Sequence, residues 1–142
     1  MINVSHLEKA LSRLQESLDY VASPLAQSDA GIARQFRMAS IQAFEFTYEL
    51  THKILKRYLE ATEANPQAIE EMSFPTLIRT ASERGLLKNA WDHWIKYRKA
   101  RGITSHTYHE TLADEVFQLI PEFTHEVAFI LEKLNSKQKM QG

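Results

Sequence analysis

AGIARQFRMASIQAFEFTYELTHKILKRYLEA, residues 30–61, is the longest helix-forming stretch of the chain. Ile32, Phe36, Ala39, Ala43, Phe46, Leu50 and Ile54 recur at steps of three and four, which draws one apolar stripe down a helix. Phe44, Tyr48, Leu55 and Leu59 widen it, and Ser28 or Asp29 supplies the N-cap. At 1.5 Å per residue such a helix is roughly 45 Å long. A compact chain of 142 residues has a radius of gyration of only about 14–15 Å. The helix must therefore cross the whole molecule, and that geometry calls for a bundle.

The flanking sequence supplies the other members. Val4, Leu7, Leu11, Leu14, Leu18 and Val21 form a stripe over 5–22, with Ser5 and Glu8 spaced as a capping box and Ser23-Pro24 as a stop. Asn65-Pro66 opens a connector. Pro75 starts a short helix that ends at Gly85, and a further helix over 88–100 holds Trp91, Trp94, Ile95 and Tyr97. From about 108 to 135 the stripe is Leu112, Val116, Leu119, Ile120, Phe123, Val127, Ile130, Leu131 and Leu134, interrupted by a kink at Pro121. Four Gly and four Pro are few, and β-branched runs are absent. The expected architecture is all-α: an up-and-down helical bundle of the four-helix type with one extra short helix. It forms one domain over 1–142, with a disordered tail at 136–142. The apolar width of the second helix (Phe44, Tyr48, Leu55, Leu59) exceeds what one stripe needs, so part of it is read as a dimer seam. Alternatively, the short helices around 75–100 cover it.

Composition excludes several functions. Lys+Arg 17 against Asp+Glu 18 gives a net charge of -1, so the chain is not a globally basic nucleic-acid binder. Without cysteine there are no disulfides, thiolate zinc sites, Fe–S clusters or Cys nucleophiles, and a cytoplasmic location is expected. His6, Glu8, Lys9, Arg13 and Glu16 break up any signal-peptide core, and no apolar run approaches the ~18 residues of a membrane helix.

The chemistry concentrates at 96–110. Lys96, Arg98, Lys99 and Arg101 place four cations at the end of one helix. Thr107 and Glu110 are spaced as a capping box for the next, whose N–H groups then face a loop holding His106 and Tyr108. Arg binds phosphate bidentately, and His as a residue type moves protons near neutrality, so Arg101, His106 and a helix N-terminus describe a phosphate site. Arg98, Lys99, Thr104 and Thr107 are further candidate phosphate or RNA contacts. The alternative is that the cations complement the helix dipole and the loop merely packs. Glu49-x-x-His52 and Glu122-x-x-His125 resemble a di-iron bundle, with Glu16 and Asp92 available as extra carboxylates. Their helical phase opposes the apolar stripes, however, so these residues are expected to face water and no metal site is assigned. A hydrolase triad and a zincin motif are also unsupported: Ser105 and His106 are sequence neighbours, and His106-x-x-His109-Glu110 has the wrong order.

Phe44-Glu-Phe-Thr-Tyr-Glu-Leu50, Pro75 through Gly85-Leu86, and Arg101-Gly-Ile-Thr-Ser-His106-Thr-Tyr108 resemble the nucleotidyltransferase substrate-binding proteins of the wider HEPN class, in order over roughly residues 5–132. The resemblance implies a helical bundle that is usually dimeric. It also implies a partner, a cognate minimal nucleotidyltransferase encoded beside it. In HEPN toxins the motif Arg and His from two subunits form a metal-independent, cofactor-free ribonuclease site, which carries over to Arg101 and His106. In the branch with Arg-x4-His-x-Tyr, the partner silences the toxin by attaching AMP to the Tyr, here Tyr108. An alternative implied role is a non-catalytic, substrate-binding subunit of the transferase. The chain departs from the pattern at Gly102, where many relatives carry a polar residue, and at His52, where Trp is common.

Overall fold

The computed structural model describes residues 2–141. Among the described residues seven α-helices form: α1 (Ser5–Val21), α2 (Pro24–Ser28), α3 (Ala30–Thr62), α4 (Pro66–Glu70), α5 (Phe74–Glu83), α6 (Trp91–Gly102) and α7 (Glu110–Gln141), with a 3₁₀ turn at Thr104–His106. Four of them make the bundle, and cross-helix pairs fix their directions. Tyr20 meets Phe36, and Thr47 Oγ1 lies 3.4 Å from the Ala10 carbonyl, so α1 and α3 are antiparallel. Phe44 meets Phe123, and Arg37 meets Asp114, so α3 and α7 run parallel. Tyr97 reaches Glu122 and Lys99 reaches Glu115, so α6 opposes α7. The order is up, down, up, down, as the apolar periodicity requires.

The caps differ in detail from the expected ones. Asp29 caps α3, its Oδ1 accepting from the Gly31 and Ile32 amides at 2.8 and 3.1 Å. At α1 the Ser5–Glu8 box does not form; Asn3 Oδ1 accepts from the Ser5 amide instead, two residues earlier. The α5 helix stops at Gly85, whose φ of +73° is the left-handed conformation that completes the Leu86 N–H to Ala81 carbonyl bond. Pro24 and Pro66 start short helices inside the two connectors. The final helix overruns its expected end at 135. Gln138 is buried and accepts the Ile2 amide at 2.6 Å, tying the chain ends together, so residues 136–141 are helical rather than a disordered tail. Gly142 lies outside the described residues. Pro121 sits inside α7.

The phase of α3 is the main correction to the sequence reading. Phe44, Tyr48, Leu55 and Leu59 are the core face, each 6% exposed or less, while Phe46 is 59% exposed. They are therefore not a dimer seam: Phe44 packs edge-on to Phe123 at 5.0 Å, and Tyr48 lies against Phe74 and Trp94. The reading missed this because Ser40, Thr47 and Thr51 look polar yet are fully buried on the same face. Their hydroxyls donate to the carbonyls of Phe36, Ala43 and Thr47, four residues back, and so need no water. Small side chains there let α1 approach closely. The rotation also brings His52 to a half-buried position, edge-on to Phe74 at 5.0 Å, rather than out to solvent.

Candidate functional site

The candidate site residues lie at the bend from α6 to α7. The helix α6 presents three faces. Trp94, Tyr97 and Ala100 point into the core. Arg98 stacks its guanidinium 5.3 Å above the Phe74 ring, and Lys99 reaches Glu115 on α7 at 3.8 Å. Arg101 turns toward α3. Arg98, Lys99 and Arg101 are thus divided among different neighbours, while Lys96 and Lys99 line one depression with Glu115 and Glu122.

Arg101 is held tightly. Its Nη2 donates to Glu49 Oε1 and lies 3.4 Å from Glu45 Oε1, while Nη1 donates to Thr104 Oγ1 at 3.3 Å. Glu45 and Glu49 are one turn apart on α3, so both carboxylates meet the same guanidinium. The Glu49 hydrogen bond, followed by the nearby carboxylate charges, raises the Arg101 pKa and keeps it charged. The turn beyond is laced internally. Thr104 donates to the Arg101 carbonyl at 2.9 Å, and Thr107 donates to the Thr104 carbonyl at 3.0 Å. Both threonines are buried and shape the bend. Among the described residues the expected capping box of Thr107 with Glu110 does not form: α7 begins at Glu110, and the His109 carbonyl accepts the Ala113 amide, so Thr107 lies two residues before the cap position.

His106 and Tyr108 project from this braced turn. His106 is exposed, and Tyr108 is 74% exposed. The Tyr108 ring lies tilted against His109 at 4.4 Å and meets His106 edge-on at 6.3 Å. Among the described residues, no hydrogen bond joins Arg101 to His106. Gly102 is exposed and a Cβ added there meets nothing within 4 Å, so the backbone has room for a side chain.

Two depressions flank the turn along α3. One, about 350 Å³, is bounded by Glu45, Gln42, Thr104 and Thr107; the other, about 150 Å³, by Arg34, Arg37, Tyr108 and Asp114. Gln35, Met38 and Thr107 line both, so they form one trough from beside Arg101 to Tyr108.

The E-x-x-H residues do not converge. Glu49 is engaged by Arg101, Glu122 accepts from the Tyr97 hydroxyl at 3.2 Å, and His125 is exposed. Sequence reasoning missed Glu126, which is fully buried. Its carboxylate accepts the Lys88 and Asn89 amides at 2.7 and 3.0 Å and the Trp94 indole N–H at 2.9 Å. It pins the start of α6, and thereby the helix that carries Arg101. The only signal in the sequence is a Glu one residue before Val127 of the apolar stripe. Among the described residues, no helix is long and apolar enough to cross a membrane.

The third and fourth members of this four-helix bundle meet at an Arg-x4-His-x-Tyr bend. Residues 2–136 match the family described as nucleotidyltransferase substrate binding protein like, and the chain belongs to that family. It is 32% identical over 145 residues to the probable ribonuclease HepT of Haemophilus influenzae, an alignment covering 97% of this chain and 95% of that protein. A solved Haemophilus influenzae structure, described as the fold of a substrate binding domain of a nucleotidyltransferase, superposes with a TM-score of 0.87 at 31% identity. That superposition covers 94% of this chain and 99% of the other. A crystal structure of a Thermus thermophilus protein superposes with a TM-score of 0.66 at 30% identity, over 90% and 98% of the two chains.

Proposed function

We propose that this protein is a HEPN-type toxin, a metal-independent endoribonuclease that a cognate minimal nucleotidyltransferase neutralises by attaching AMP to Tyr108. The observation that supports it best is the braced turn. Buried Thr104 and Thr107 hold His106 and Tyr108 out to solvent a few residues from a permanently charged Arg101. RNA carries its own nucleophile. The 2′-oxygen attacks the adjacent phosphorus and a cyclic phosphate forms. The P–O5′ bond breaks, and the 5′-oxygen leaves with a proton. His106 takes the 2′-OH proton or supplies the one on the leaving oxygen, and Arg101 exchanges Glu45 and Glu49 for the phosphate oxygens and stabilises the charge that builds there. One chain offers one such Arg and one such His; a homodimer supplies two of each, enough for base and acid together. Neutralisation joins Tyr108 Oη to the α-phosphorus of a nucleoside triphosphate with release of pyrophosphate and the phenol proton, leaving a bulky anion at the mouth of the trough.

Purified protein, free of partner and treated with chelator, is expected to cleave RNA, and His106→Ala is expected to abolish cleavage while leaving the melting curve intact. Absence of cleavage by unmodified wild type overturns the proposal. One observation favours a second reading, a non-catalytic substrate-binding subunit of the transferase: Arg101 is already occupied by two carboxylates. In that case nucleotide transfer by the partner depends on this chain, and a partner equally active alone excludes it.

A further inference from the structure

We propose that the groove beside Tyr108 is a seat for a nucleoside monophosphate group, with Arg34 and Arg37 holding its phosphate and Met38 and Ala113 lying under its base. The proposal rests on the reading of Tyr108 as a nucleotide acceptor and adds to it the residues that retain the group once attached.

Arg34, Arg37 and Met38 are spaced i, i+3, i+4 on α3, so they share one face, and that face lines the groove with Tyr108, Ala113 and Asp114 of the opposite wall. Arg34 is exposed and makes no ion pair among the described residues. Arg37 touches Asp114 at 3.2 Å, but both groups are well exposed, so this weak pair yields readily to a phosphate. Met38, 37% exposed, and Ala113 offer the apolar surface on which a flat base rests.

Size and charge point to a tethered occupant rather than a free one. The groove holds about 150 Å³, well below the ~300 Å³ at which pockets begin to enclose a small molecule by themselves. Asp114 and Glu110 offset part of the charge of the two arginines, so a free nucleoside monophosphate is held only weakly there, in the millimolar range. A phosphodiester on Tyr108 carries one charge and arrives already in place, at an effective concentration of about millimolar or more. Millimolar affinity, modest for a diffusing nucleotide, is then sufficient for a tethered one. Occupation would also fill the trough that leads to Arg101, which couples modification to loss of RNA access.

The test is an NMR titration of the unmodified full chain with AMP, with adenosine in parallel. AMP is expected to shift the Met38 methyl and Tyr108 ring signals with a millimolar Kd, and adenosine to bind more weakly. The Arg34→Gln/Arg37→Gln double variant, altered only at exposed or half-exposed positions, is expected to bind AMP about tenfold less tightly with an unchanged melting curve. No shift at Met38 and Tyr108, or equal affinity in the double variant, overturns the seat. Intact mass after co-expression with the transferase separates the two readings. AMP binding with Tyr108 never modified supports the seat and overturns the acceptor reading. A modified Tyr108 on a chain that shows no AMP shifts overturns the seat and leaves the acceptor reading standing.

Discussion

Replacing Glu126 by Ala removes the acceptor of three N–H groups at once. The Lys88 and Asn89 amides lie at 2.7 and 3.0 Å and the Trp94 indole at 2.9 Å from a carboxylate with no exposed surface. An unsatisfied buried donor costs about 1–3 kcal/mol. The Trp94 N–H is fully enclosed and bears the upper figure; the two amides are part-buried and recover some of the loss from water. The sum is about 3–4 kcal/mol, a large part of the 5–15 kcal/mol typical of a domain. Thermal unfolding followed by circular dichroism is expected to drop by about 10 °C. A Glu126→Ala protein melting within about 2 °C of wild type would refute the account. The same residue has a pH signature. Burial pushes its carboxyl pKa above the usual 4.5, against the opposing effect of the three hydrogen bonds. Between 4.5 and that raised value the folded chain binds more protons than the unfolded chain, so stability falls as pH rises through this window. Glu126→Gln, which cannot titrate, is expected to lose that slope while keeping a carbonyl acceptor for part of the set.

Three further outcomes follow from single contacts. Glu49→Gln weakens the grip on Arg101; because the pair is 31% and 52% exposed, the release is discounted to about 0.5–1 kcal/mol. The KM for RNA is therefore expected to fall about two- to fivefold with kcat nearly unchanged, and an unchanged or higher KM in a cleavage assay contradicts the exchange of carboxylate for phosphate. Gly85→Ala meets no atom within 4 Å, so its cost is backbone strain at φ +73° alone, about 1 kcal/mol in urea unfolding. Asp29→Ala removes the acceptor of two first-turn amides of α3 and is expected to cost about 1 kcal/mol in the same assay.

Much of the bundle was legible from periodicity. The stripes of α1 and α7 bury as expected: Leu7, Leu11 and Leu14 on one, Val116, Ile120, Phe123, Val127 and Ile130 on the other. On α3 the stripe was centred off the core face: Ile54 is buried and Ala43 and Leu50 pack against the core, but the centre lies nearer Phe44, Tyr48, Leu55 and Leu59. Phe46 is apolar but exposed, and Thr47 and Thr51 are polar but buried, because a hydroxyl satisfied by its own helix costs little to bury. Thr107 similarly has the residue type and spacing of a cap but serves the preceding turn, since the chain bends through a 3₁₀ segment before α7 starts.

Local order alone determined that this chain is helical, where its long rods lie, and that an Arg, a His and a Tyr share the bend between the last two. Each is a property of spacing over a few residues, where the 3.6-residue period and the breaking power of Gly and Pro act. Only the assembled bundle decided that Arg101 turns to Glu45 and Glu49, more than fifty residues away, that Glu126 anchors α6, and that Arg34 and Arg37 flank Tyr108. Those pairings depend on the rotation and register of whole helices against one another. That rotation is set by how all the side chains of a shared core interlock, which no short window of sequence contains.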